Sequence, residues 1–287
     1  MIEAEIPLSD REFARVKARI HAAAGIALSD AKRTLVVSRL SKLLRGLGFT
    51  SFDAYLDYLE AAGSAGDAQA FVNALTTNLT RFFREDHHFD HLTAYVGELL
   101  AERPRRAPDG RPRLRLWSAG CSTGQEAYTI ALSLLAAYPD LKRWDFRILA
   151  TDVDTSVLAR AAAGIYPESE LAGLTPARAR LFERPGDGTI HIPAAARAVV
   201  AFRPLNLMDA TWPMRGPFDA VFCRNVTIYF DRATQAAVFA RLGRLIAPGG
   251  YLYVGHSENL GDGGAGFQLV GKTVYQWRAA RKARDAA

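Results

Sequence analysis

Between Leu114 and Tyr128 the chain reads LRLWSAGCSTGQEAY, an apolar run that stops at small residues and passes into an amphipathic segment. Glycines 120 and 124 let such a loop approach a small ligand closely. The helix expected from Gln125 to Tyr138 would turn its positive N-terminal end toward that ligand. The spacing Gly120-x-x-x-Gly124 differs from the dinucleotide fingerprint Gly-x-Gly-x-x-Gly. The same loop read as a tight turn needs no ligand. Further polar residues fall where other strands should end, and in an open α/β sheet ligands bind beyond the carboxyl ends of the strands. Asp152 closes the second strand, where it could accept hydrogen bonds from ribose hydroxyls or cap the helix at Thr155. Asn206 and Leu207 follow the third strand, and Cys223, Arg224 and Asn225 the fourth, although turn formation alone would explain the asparagines. Tyr229, inside the apolar run IYF, reads by itself as a core aromatic.

These positions need a scaffold, and the pattern supplies one. The first third is helical: Ser9 and Glu12 form a capping box ahead of Phe13, Val16 and Ile20, and Ser29 or Asp30 caps a second helix ending at Gly46 to Gly48. That second helix carries Lys32, Arg39, Lys42 and Arg45 on one face. A third helix is expected from Ser51 to about Ala61, AAGSAGDA breaks it, and a fourth runs from Gln69 to Leu75. A long helix from about Arg84 to Glu102 leads into RPRRAPDGRPR, a surface loop. Strands are then expected at Leu114–Gly120, Phe146–Thr151, Val199–Pro204, Ala220–Cys223 and Tyr251–Gly255, with helices after the first, second and fourth. FQLVGKTVYQW reads as a closing β-hairpin. The stretch 164–197 interrupts the alternation as an insertion, with short strands at Arg180–Arg184 and Thr189–Ile192 joined by PGDG.

A 287-residue chain with 49% apolar and 23% charged residues can bury a large core, which excludes disordered and fibrous classes. No run approaches the roughly 18 apolar residues of a membrane span, so the chain is expected to stay in the cytoplasm without direct membrane insertion. Cys121 and Cys223 lie in no metal-ligand spacing, and His87 and His88 lack partners, so no metal site is expected. Cys121 reads as a small residue tolerated beside a ligand. The net charge of +6 could signal a nucleic-acid or an acidic-protein partner. The basic helix at Lys32 to Arg45 has no aromatic residues for base stacking, which argues against nucleic acid. The tail RAARKARDAA reads as a solvated end.

Five blocks in order, TTNLTRFFREDHHF, WSAGCSTGQEAYTIAL, ATDVDTSVL, FCRNVTIYFD and APGGYLYVGHSENL, resemble the chemotaxis-receptor glutamate methyltransferases over essentially the whole chain. The resemblance implies an α/β fold: a doubly wound class I methyltransferase sheet with a β-subdomain insertion, behind a small all-α N-terminal domain. The corresponding boundaries are 1–75 for a helical receptor-docking domain, 76–113 for a linker and helix, and 114–287 for the methyltransferase domain, with the β-subdomain at about 164–197. It implies S-adenosylmethionine as cofactor, held by Asn78, Thr80, Arg84, Gly120, Glu126, Asp152, Asn206, Leu207, Cys223 and Arg224. Arg84 and Tyr229 correspond to the pair lining the methyl-transfer site, and Lys32, Arg39, Lys42 and Arg45 to a face docking the cytoplasmic methylation helices of chemoreceptors. Two features depart from the family pattern. Gln125 and Ala127 stand where members often carry Glu and Pro, and the PGDG turn at Pro185 to Gly188 is short for gripping a receptor's C-terminal pentapeptide, so no such tether is expected. A non-catalytic cofactor-binding adaptor and a nucleic-acid methyltransferase are the competing readings.

Overall fold

The computed structural model describes residues 6–102 and 109–278. The first four helices are α1 (Asp10–Ala24), α2 (Arg33–Gly46), α3 (Phe52–Ala61) and α4 (Ala65–Leu75). They bury one stripe each, among them Phe13, Val16, Ile20, Val36, Leu40, Leu44, Tyr55, Leu56 and Phe71, in a common core. The expected capping box is present: Ser9 takes the Glu12 N–H while the Glu12 carboxylate takes that of Ser9. α4 starts four residues before the expected Gln69, because Ser64 and Asp67 form a second capping box inside the segment read as a break. A single 3₁₀ turn, Asp30–Lys32, precedes α2, and neither Ser29 nor Asp30 caps it with a side chain.

α5 (His87–Ala101) begins three residues later than expected, so Arg84 lies in a turn. Phe83 and Glu85 on either side of it have φ of 55° and 56°, left-handed values that no α-helix tolerates. Most of the expected surface loop after α5, 103–108, lies outside the described residues, as does the tail from 279.

A seven-stranded sheet follows, built from β1 (Arg113–Ala119), β2 (Asp145–Asp152), β5 (Val200–Pro204), β6 (Phe218–Cys223), β7 (Ile246–Val254), β8 (Phe267–Gly271) and β9 (Val274–Trp277). Its order is β5-β2-β1-β6-β7-β9-β8, with the first five neighbours parallel and β9 antiparallel to both β7 and β8. The expected doubly wound sheet with a terminal hairpin is therefore what forms. α6 (Gln125–Ala137) and α7 (Thr155–Ala163) follow β1 and β2, and α10 (Arg232–Leu245) precedes β7. Strand residues alternate between two cores. Leu114, Leu116, Phe222 and Tyr253 pack with residues of α5 and α6, while Trp117, Val221 and Leu252 pack with α10.

The insertion differs from expectation in its pairing. β3 (Ile165–Pro167) pairs antiparallel with β4 (Thr189–His191), and the short helices α8 (Pro176–Ala179) and α9 (Ala194–Arg197) flank β4. Arg180–Arg184 is not a strand: only Glu183 bridges, to His191. β4 lies between β3 and Glu183; Tyr166 of β3 is buried and donates its hydroxyl to the Thr123 carbonyl (2.7 Å), and the 180–184 segment is held by Phe182, buried against Phe82 (ring centroids 4.7 Å apart).

Candidate functional site

The carboxyl ends of β1, β2 and β6 open into a cavity of about 520 Å³, walled on the other side by the α1–α2 connection and by the linker 75–84. Its floor begins at β1. The Gly120 and Cys121 N–H groups both donate to the Thr151 carbonyl (2.7 and 2.9 Å), which folds the loop tightly over β2. Gly120 has φ of 85°, and a Cβ there would overlap Val226, so only glycine closes this corner of the cavity.

Asp152 and Glu126 are the two buried carboxylates that line it. Asp152 accepts from the Ser122 N–H (2.8 Å) and the Asp154 N–H (2.9 Å). The helix-cap role weighed for Asp152 belongs to Asp154, which takes the Ser156 N–H and also binds Thr76 and Asn78 of the linker. Glu126, in the first turn of α6, accepts from the Ser118 hydroxyl (2.6 Å) and pairs with Arg224 (3.1 Å). Burial raises the pKa of Glu126, opposed by Arg224 and Ser118, and burial likewise raises that of Asp152, opposed by its backbone donors. A cation or hydroxyl donor entering the cavity would relieve that desolvation.

Arg224, on the cavity lining, bridges Glu126 and Glu85 (3.4 Å) and donates to the Arg84 carbonyl. Arg84 itself reaches the cavity and bonds the Leu79 carbonyl (3.0 Å). Asn78 is pinned by Asp154 and by Ser122, whose hydroxyl donates to its carbonyl (2.9 Å); Thr80 follows it on the lining. Asn206 donates to the Ala23 carbonyl (2.6 Å), tying the post-β5 turn to the end of α1, and Leu207 packs beside it. Tyr229 belongs to a 3₁₀ turn, Thr227–Tyr229, is partly buried and lines the cavity, so the apolar run IYF is neither a strand nor fully core.

The structure thus brings Asn78, Thr80, Arg84, Gly120, Glu126, Asp152, Asn206, Leu207, Arg224 and Tyr229 to one cavity. Cys223 does not join them: its side chain is fully buried in the core under α10, away from the lining. The basic face is divided. Lys32 lines the cavity mouth, Arg39 turns inward to the Thr76 carbonyl, and Lys42 and Arg45 are exposed. Cys121 is buried, with its thiol pKa pushed well up by desolvation and by Asp152 and Glu126, the wrong direction for a nucleophile. His88 is buried against Thr273 and Tyr253, and His87 meets the Lys272 carbonyl, so both pack. Among the described residues no group of His, Cys, Asp and Glu is arranged to hold a metal ion, and no helix is long and apolar enough to cross a membrane.

Sequence reasoning missed the α1–α2 wall (Ala24, Ile26 to Ser29), the buried Glu85 and Glu258. The only signal for the two glutamates was their place inside motifs that carry cavity residues, and the wall residues offered none.

Comparison with known proteins matches residues 11–76 to the family model "CheR methyltransferase, all-alpha domain" and 78–276 to "CheR methyltransferase, SAM binding domain". The chain is 44% identical to the chemotaxis protein methyltransferase of Escherichia coli K12, over 94% of this chain and 92% of that one. It is 42% identical to a probable chemotaxis protein methyltransferase of Rhizobium etli, over 93% and 100% of the two chains. It is also 42% identical to chemotaxis protein methyltransferase 2 of Pseudomonas aeruginosa, over 94% of each.

Proposed function

The chain belongs to the CheR family of S-adenosylmethionine-dependent methyltransferases, and from that premise we propose that it methylates glutamate side chains on the cytoplasmic helices of chemoreceptors. The products would be glutamate methyl esters and S-adenosylhomocysteine, formed in the cytoplasm as part of chemosensory adaptation. The observation that carries the reading is the meeting of Arg84 and Tyr229 with two buried carboxylates in one cavity whose mouth carries Lys32.

The cavity suits this cofactor by its donor set. Buried carboxylates with raised pKa are matched to hydroxyls and cationic groups, and Leu205 and Leu207 give an apolar flank for a flat base. Asp152 would take the ribose hydroxyls, Glu126 a cationic group, Asn206 and Leu207 the adenine side, and Arg84 a carboxylate of cofactor or acceptor. Asn78 and Thr80 would reach over from the linker. When bound, the cofactor supplies an electrophilic methyl group on a sulfonium.

Little acid-base chemistry is asked of the protein. A glutamate with a reference pKa of about 4.3 is already ionised at neutral pH, so no general base is needed. What remains is to hold a weak oxygen nucleophile in line, a task of several kcal/mol. The Tyr229 hydroxyl orients the acceptor oxygen, Arg84 pairs with a carboxylate, and the wall made by the α1–α2 connection excludes water. The acceptor helix docks through the exposed charges Lys32, Lys42 and Arg45; Arg39, bonded to the linker carbonyl, contributes at the edge of that face. Methylation removes acceptor charge and so weakens repulsion between receptor helices. No pentapeptide tether is needed, in keeping with the single bridge at Glu183 in place of a full strand. Appending a C-terminal pentapeptide to a cognate receptor should then leave binding unchanged.

The test is transfer of labelled methyl from S-adenosylmethionine to receptor-containing membranes, followed by mild alkali. Volatile methanol from the receptor band supports a carboxyl methyl ester. Cofactor binding with no label on any receptor favours an adaptor instead.

A further inference from the structure

The carboxylate of Glu258, in the turn after β7, gathers the loop that follows β6. Its Oε1 accepts from the N–H groups of Val226 (3.1 Å), Thr227 (2.7 Å) and Ile228 (3.3 Å) and from the Thr227 hydroxyl (2.7 Å). Its Oε2 accepts from the N–H groups of Asn225 and Gly255, both at 2.6 Å. Glu258 is 6% exposed, and its own N–H donates to the Gly255 carbonyl. Consecutive N–H groups from 225 to 228 converge on one anion only if the backbone curls around it. Asn225 supplies the curl with φ of 59°, and the 3₁₀ turn Thr227–Tyr229 completes it. Gly255 lets the loop approach this closely, since a Cβ there would stand 2.8 Å from Asn225 N.

The loop held this way carries Arg224, Asn225, Val226, Ile228 and Tyr229, all on the cavity lining, whereas Glu258 is not on it. At the far end the Tyr229 carbonyl accepts from the Ala27 N–H (2.7 Å), so Tyr229 is fixed from both sides. We propose that Glu258 is a positioning residue for methyl transfer, holding the β6 loop so that Tyr229 meets the acceptor; this rests on the reading of Tyr229 given above. An amide in its place offers one acceptor oxygen and turns an NH₂ toward groups that already donate, leaving buried N–H groups unpaired. The loop then loosens where Tyr229 sits.

The experiment uses the full chain with E258Q, E258D, Y229F and the double variant E258Q/Y229F. E258Q lowers kcat about 30-fold, a loss of about 2 kcal/mol of transition-state stabilisation, while Kd for S-adenosylmethionine changes less than about threefold. E258D, which keeps the charge one methylene short, recovers part of kcat. The double variant is no slower than the slower single variant, because Glu258 acts through Tyr229. Losses that multiply in the double variant overturn the proposal, as does a kcat within about twofold of wild type in E258Q. A readout free of turnover is ¹⁹F NMR of 3-fluorotyrosine at position 229 with S-adenosylmethionine bound. The line shifts or broadens in E258Q, or in E258D if E258Q does not fold, and an unchanged line overturns the proposal. A wild-type chain that binds cofactor yet methylates no receptor overturns the functional reading, and the fluorine line still decides for or against Glu258.

Discussion

Gly120→Ala isolates how tightly the floor of the cavity is built. A left-handed φ of 85° costs an alanine about 1–2 kcal/mol. The new methyl would also overlap Val226 Cγ2 while lying 3.5 and 3.6 Å from Cβ and Cγ1 of the same residue, and overpacking of that kind costs about 1–3 kcal/mol. The loop cannot retreat cheaply, because the Gly120 and Cys121 N–H groups are both committed to Thr151. Gly120→Ala should therefore lose about 2–5 kcal/mol in urea unfolding. Val226→Ala alone should cost about 1 kcal/mol, for two methyl groups that are partly exposed. Combined, the two should recover the steric part and keep the backbone part, a coupling of about 1–3 kcal/mol in the double-mutant cycle. Calorimetric titration of S-adenosylmethionine should follow the same order, weakest in Gly120→Ala and partly restored in the double variant. A Gly120→Ala protein within about 0.5 kcal/mol of wild type, or a cycle that closes additively, would refute the reasoning.

Tyr229→Phe should lower kcat at least about tenfold and leave cofactor Kd within about threefold; equal losses in both would remove the hydroxyl from the transfer step. Because burial raises the Glu126 pKa in the free protein and a neighbouring cation favours the ionised form, cofactor binding should release protons and weaken as pH falls toward and below the raised value, above 4.5. Calorimetry in two buffers of different ionisation enthalpy, run over a series of pH values from 4.5 upward, checks this, and identical heats throughout would contradict it. Burial and the nearby Arg224 hold the His88 imidazole neutral, with a pKa of about 2 against 6.5 ordinarily. The unfolded chain alone takes up that proton below pH 6.5, so this contribution is present at neutral pH and lost on acidification by about 1.4 kcal/mol per pH unit. The excess slope should vanish in His88→Gln. Lys42→Glu should weaken receptor binding and flatten its salt dependence, measured by sedimentation with receptor membranes at two ionic strengths.

The strand ends were legible because the apolar runs stop there, and Gly120, Asp152, Asn206 and Arg224 all reach the cavity as their positions implied. The resemblance added Tyr229 and Arg84, which periodicity alone read as a core aromatic and a helix start. What sequence could not supply is set by contacts between distant residues. Glu258 meets its partners some thirty positions upstream, and Glu85 meets Arg224 across a left-handed backbone that no propensity announces. Cap choice between Asp152 and Asp154 turned on two residues of offset, within the uncertainty of any helix boundary. The glycines and serine of AAGSAGDA suggest a break, whereas Ser64-x-x-Asp67 within it starts α4. In the insertion, Tyr166 and Phe182 both pack on Phe82, contacts across the chain that the local pattern does not announce.

The end of α1 and the α1–α2 connection meet the loop after β6 and its surroundings at several places, among them Ala27 N–H on the Tyr229 carbonyl, Asn206 on the Ala23 carbonyl, and His21 beside Asp231 (2.9 Å). Gly25 packs in the same seam, where a Cβ would touch Phe230 at 3.3 Å. The two halves matched by separate family models are therefore not interchangeable parts. A chimera joined between residues 76 and 78 would take Tyr229 from one parent and the Ala27 that backs it from the other. Such hybrids should exchange receptor preference only when the seam residues travel together, so this surface constrains recombination between relatives more than either core does.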